Sequence, residues 1–142
     1  MTFTNPYELE RFVAAQAAIY PTARAELTAG RKHNHWMWFI FPQLAGLGRS
    51  AMAQRYALEG LADGRAYFDH CLLGPRLVEC TRLMLAHRGV VLAAILPYPD
   101  DLKFRSCMTF FAAARPDIGL FQQALDAFCG GKPCPDTLRL LG

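Results

Sequence analysis

The stretch His33-Asn34-His35-Trp36-Met37-Trp38-Phe39-Ile40-Phe41-Pro42-Gln43-Leu44 decides how this chain folds. It holds both tryptophans of the chain. Six consecutive large apolar residues, Trp36 to Phe41, leave it no polar face. A segment of that kind is expected to be buried on all sides, with the rest of the chain wrapped around it. A basic, histidine-bearing collar (Arg31, Lys32, His33, His35) precedes it, and Pro42-Gln43 ends it. Six residues suit a strand or a short helix. A strand would need a partner, and only Val90 to Leu96 offers one. The alanine-rich, helical surroundings favour a short buried helix.

Outward from this segment, every flank reads as helix. Upstream, Asn5-Pro6-Tyr7-Glu8 has the form of a helix start, with Asn5 as cap and Pro6 at the first helical position. Leu9, Phe12, Val13 and Ala17 follow at helical spacing, and Pro21 is expected to break or kink that helix. A second helix is predicted from Pro21 to Ala29, with Leu27 inward, Arg24 and Glu26 outward, and Gly30 as C-cap. Downstream, Ser50 caps a helix through Met52, Ala53, Tyr56 and Ala57, and a short one covers Ala62 to Asp69. Gly74-Pro75 opens the clearest amphipathic helix, with Leu77, Val78, Thr81, Leu83-Met84 and Leu85 at apolar spacing and Arg76, Glu79, Arg82 and Arg88 outward. Val90 to Leu96 is a short apolar element, and Pro97-Tyr98-Pro99 a rigid turn. Asp100 and Asp101 open a helix reaching about Ala114, their acids placed where the helix dipole favours them. Leu120 to Phe128 forms another, stopped by Gly130-Gly131. Pro135-Asp136 starts a terminal helix, expected to pack by Leu138, Leu140 and Leu141. The prediction is one all-α domain over residues 1–142, with seven or eight short helices around a buried central helix, Trp36 to Phe41.

The bulk numbers agree with that picture. A chain of 142 residues suits one core, and 53% hydrophobic with 12% aromatic residues supplies it. A net charge of +3 is too small to imply nucleic-acid binding, though a local basic patch can still hold an anion. The five cysteines contain no Cys-x-x-Cys pair and read as reduced, mostly buried thiols of a cytoplasmic protein. No signal peptide is expected at the N-terminus, and no apolar run is long enough to span a bilayer.

Four stretches together carry a family resemblance. The first is Gly30-Arg31-Lys32 with His35-Trp36-Met37-Trp38-Phe39-Ile40-Phe41-Pro42-Gln43-Leu44. The second is Gly46-Leu47-Gly48-Arg49-Ser50, continuing through Met52-Ala53 to Tyr56-Ala57. The third is Leu73-Gly74-Pro75-Arg76-Leu77, and the fourth runs from Asp100-Asp101-Leu102-Lys103-Phe104 to Ser106-Cys107-Met108-Thr109. They resemble the bacterial domain of unknown function 1810 family, whose members carry the label calpastatin in some genomes. The resemblance implies an all-helical fold and no established activity. Calpastatin-type inhibitors are disordered, whereas this composition is that of a packed domain.

Chemistry-bearing residues gather around the same stretches. His33-x-His35 does not make a metal site, since helical i and i+2 side chains diverge and no further ligand cluster completes it. No metal or cofactor is predicted. His35, at the edge of the apolar segment beside Arg31 and Lys32, is either a hydrogen-bonded core histidine or an acid/base and anion-binding group. Gly46 to Ser50 is a glycine-bearing loop running into a helix start, where Arg49 and Ser50 serve an anion or simply form a turn and cap. Lys103 and Ser106 share a helix face, and Lys103 either faces a polar centre or pairs with Asp100 or Glu79.

The expected function is binding of an anionic small molecule, nucleotide or ADP-ribose-like, beside the central segment. His35 and Gln43 would orient the ligand and Trp38 would stack. Arg31, Arg49 and Lys103 would supply charge, with Ser50 and Ser106 adding hydroxyls. Whether the chain is an enzyme is left open. One alternative is a hydrolase of a glycosidic or phosphoester bond with His35 or Asp101 as acid/base. Another is a protein-interaction domain without a pocket.

Overall fold

The protein is described by a computed structural model covering residues 7–142. Nine helices and no strand occur among these residues: α1 (Glu10–Ala29), α2 (Met37–Ile40), α3 (Ala51–Arg55), α4 (Leu61–Asp69), α5 (Leu73–Leu85), α6 (Leu92–Ile95), α7 (Asp100–Ala114), α8 (Leu120–Cys129) and α9 (Pro135–Leu141). The fold is all-α, as the periodicities predict. The expected cap at Asn5 and Pro6 lies outside the described residues, and α1 starts later, at Glu10.

Pro21 does not divide α1. The helix runs 20 residues through it, because Phe12, Gln16, Tyr20, Ala23 and Leu27 form one continuous buried stripe. Pro21 itself is exposed, so water can serve the carbonyl that its missing N–H leaves free. Gly30 ends the helix at φ 83°, donating to the Glu26 and Leu27 carbonyls. That left-handed conformation is costly for any residue with a Cβ.

The central segment becomes α2, one turn long, and its neighbours explain why it stays helical. Gln16 Nε2 on α1 donates to the Phe39 carbonyl at 2.6 Å, and the Tyr67 hydroxyl sits against both. A buried carbonyl that a short helix leaves unpaired is thereby satisfied. Aromatic edges then carry the packing outward. Phe41 meets Phe104 edge-on at 5.1 Å, and Phe104 meets Phe128 at 6.0 Å. Phe12 meets Tyr67 at 5.1 Å. One core cluster joins α1, α2, α4, α5, α7 and α8.

Burial on all sides is the expectation that fails for this segment. Trp36, Met37, Phe39, Ile40 and Phe41 are buried, but Trp38 is only partly covered. A one-turn helix at the edge of a core must turn one residue outward, and here that residue is Trp38. The terminal helix also differs. Leu138 and Leu140 are about half exposed, and Thr137 is the buried residue of α9. Its hydroxyl lies 2.7 Å from Ser106 Oγ on α7, while Cys134 N donates to Thr109 Oγ1. Polar contacts therefore contribute to docking α9 where leucines were expected.

Candidate functional site

Glu26 was expected to face water. It is buried, and it holds the approach to the central helix. Its Oε1 accepts from the backbone N–H of His33 (2.7 Å), the N–H of Asn34 (2.9 Å) and the indole Nε1 of Trp36 (3.0 Å); its Oε2 accepts from the Asn34 amide. Burial raises the carboxyl's proton affinity, but these donors outweigh it and hold the pKa at about 2. Lys32 N–H donates to the Ile95 carbonyl at 2.8 Å, fixing the other end of the collar. The collar is thus pinned between α1 and α6.

Pinning it this way sets its side chains around a cavity of about 350 Å³. Lys32, His33 and His35 come from the collar, Met37 and Trp38 from α2, Pro97 to Pro99 from the turn, and Asp100 and Lys103 from α7. The Asp100 carboxylate lies between two ammonium groups, Lys32 Nζ at 2.8 Å and Lys103 Nζ at 3.5 Å. The lysine side chains are 8% and 25% exposed and that of Asp100 15%. Each lysine also lies over an indole, Lys32 5.2 Å from Trp36 and Lys103 5.3 Å from Trp38. Two half-buried cations thus share one anion, leaving the wall with an excess of positive charge even with both histidines neutral. Tyr98 at the rim is 76% exposed.

Among the residues singled out by sequence, His35, Trp38 and Lys103 line this one cavity. Gln43 approaches from behind: it borders, with Trp38 and Lys103, a void of about 10 Å³ that has room for at most one water. Arg31 is exposed and lies off the cavity wall. Ser50 caps α3 by accepting from Ala53 N at 3.1 Å, and the Arg49 carbonyl accepts from Gln54 Nε2. The glycine loop is therefore a turn and a cap, apart from the cavity. Ser106 is buried against Thr137, one turn deeper on α7 than Lys103 and beneath α9. Asp101 opens onto a different cavity with Leu102 and Arg105. Successive residues of a helix diverge, so Asp100 faces the lysines and Asp101 does not. His35 and Asp101 therefore form no acid/base pair.

Sequence reasoning missed Tyr98 and gave Asp100 only a pairing role. The signal for Tyr98 was an aromatic residue between two prolines. For Asp100 it was the i, i+3 spacing to Lys103.

With this geometry in view, the comparisons place the chain. It belongs to the family described as protein of unknown function (DUF1810), whose model matches residues 6–141. It is similar to the conserved hypothetical protein Rv1873 from Mycobacterium tuberculosis, known from a crystal structure at 1.38 Å. The two share 47% sequence identity, with a TM-score of 0.95 over 96% of this chain and 98% of that one. No curated protein matches the chain.

Proposed function

For this member of a family of unknown function, we propose the binding of an anionic small molecule of the nucleotide or ADP-ribose class in the cavity between the collar, α2 and α7. The observation that carries the reading is the pair of half-buried ammonium groups, Lys32 and Lys103, sharing the single carboxylate of Asp100. Desolvated cations of this kind are costly unless paired, and a ligand phosphate completes the pairing. Trp38 and Tyr98 offer ring surface for a planar base, and the two histidines offer further donors. About 350 Å³ lies within the range of small-molecule sites.

A hydrolase reading has less support, because the cavity's one carboxylate is held between lysines and Asp101 opens elsewhere. A cytoplasmic setting is the accompanying proposal. It is supported by five free cysteines and by the absence, among the described residues, of a helix long and apolar enough to cross a membrane.

A thermal-shift screen against ADP-ribose, ADP, sugar phosphates and unphosphorylated adenosine tests the reading. A ligand that binds the native state must raise Tm by mass action. Phosphorylated compounds are expected to raise it and adenosine to leave it unchanged. A flat response to every phosphorylated compound would remove the reading.

A further inference from the structure

A second cavity, of about 530 Å³, lies around the other face of α7 from the lysine pair. One wall is apolar and open to solvent: Val90 is 45%, Val91 73% and Leu102 51% exposed, and Phe128 lies partly covered at the base. Exposed aliphatic residues converging on one concave surface are unusual on a monomer and mark a binding surface.

The opposite rim is cationic. Arg105 spends Nε on the Lys132 carbonyl (2.8 Å) and one terminal nitrogen on the Pro133 carbonyl (2.9 Å). Its Nη1 has no partner among the described residues. Lys132 is exposed, and its ammonium group likewise has none. Asp101 is the only acid on the wall, and it accepts from its own neighbour, Leu102 N, at 2.9 Å.

We propose that this groove binds an amphiphilic carboxylate, a medium-length apolar chain ending in an anion. The chain lies against Val90, Val91, Leu102 and Phe128. The carboxylate reaches Lys132 and the free Nη1 of Arg105. Arg105, held by two backbone carbonyls, and the exposed Lys132 beside it select this chemistry over a neutral or cationic amphiphile. No bond is made or broken, and the site is independent of the lysine-pair cavity.

Decanoate, below its micellar concentration, is the probe for calorimetric titration into the full chain. Decyltrimethylammonium carries the same chain with the opposite charge, and acetate the head without a chain. Decanoate is expected to bind at one site and the other two not to bind measurably. Val91→Asp and Lys132→Glu, both at exposed positions, are each expected to weaken decanoate by about tenfold or more, and Lys103→Met to leave it unchanged. Circular dichroism checks that each variant is folded. The proposal is overturned if decanoate gives no binding heat, if decyltrimethylammonium binds as tightly, or if folded Val91→Asp and Lys132→Glu bind decanoate like the parent.

Discussion

The indole Nε1 of Trp36 donates to Glu26 Oε1 at 3.0 Å, joining the start of the central helix to the last turns of α1. The same oxygen takes the backbone N–H groups of His33 and Asn34. One buried carboxylate therefore fixes the path of the collar. With the path fixed, His35 and Trp38 have little choice but to face the Asp100 lysine pair. The candidate site depends on a residue that does not line it.

Glu26 should make stability pH-dependent. Its folded pKa of about 2 lies below its ordinary value of 4.5. A depressed carboxyl stabilises the fold above the unfolded pKa, and that contribution is lost as pH falls through the folded one. The expected loss between about pH 5 and pH 2 is about 2 kcal/mol, discounted for solvent screening. Urea unfolding across that window should show the loss in the parent and a much flatter profile in Glu26→Gln. An equally steep profile in the variant would assign the acid sensitivity to other carboxylates.

The two tryptophans should separate in their effects. Trp36 is fully buried, so Trp36→Ala is expected to cost about 3–5 kcal/mol. Trp38 is partly open to the cavity, so Trp38→Ala should cost only about 1–2 kcal/mol. Denaturant midpoints measure both. Equal losses would mean that Trp38 is as much a core residue as Trp36.

Gly74 marks where α5 crosses closest to the end of α4. A Cβ there would lie 1.9 Å from the Phe68 carbonyl oxygen, a distance no local adjustment of a side chain relieves. Gly74→Ala should destabilise by about 2 kcal/mol or more, because backbone must move. Gly60→Ala, where a Cβ meets nothing within 4 Å, should be close to neutral. Thermal unfolding of the pair is the check, and similar melting points would contradict the close approach.

The helices were legible because they are written in local patterns. Leu77, Thr81 and Met84 repeat at helical spacing, and Gly30 and Gly130 stop their helices at positive φ, as read from sequence. The errors fall where a distant partner decides the outcome. Glu26 looked solvated because its donors arrive from the next segment. Pro21 looked like a break because the stripe that carries α1 past it is tertiary. Of the nine residues singled out, three, His35, Trp38 and Lys103, share one cavity, and their unusual surroundings had grouped them. Arg49, Ser50 and Ser106 were grouped with them by residue type alone. Nothing local in the sequence could reveal that Ser106 meets Thr137 or that Asp101 turns away from Asp100.

Thiol reactivity offers a further check on burial. All five cysteines are free, Cys71 is exposed, and Cys80 and Cys107 are buried. Burial pushes the Cys80 thiol up to about 12 and raises that of Cys107 as well, so neither supplies thiolate at neutral pH. A thiol-reactive dye should label Cys71 first in the native protein and count five thiols after denaturation without reductant. A count of three would mean a disulfide.

Calorimetric titration of ADP-ribose at low salt, with the parent and two single variants, measures whether the lysine pair beside Asp100 holds an anion. Lys103→Met removes one of the two ammonium groups beside Asp100, and Arg49→Met removes an exposed charge away from the cavity. One binding site is expected in the parent, with affinity weakened by about tenfold or more in Lys103→Met and unchanged in Arg49→Met. Absence of binding to the parent, or equal affinity in the parent and a folded Lys103→Met, would contradict that role of the lysine pair.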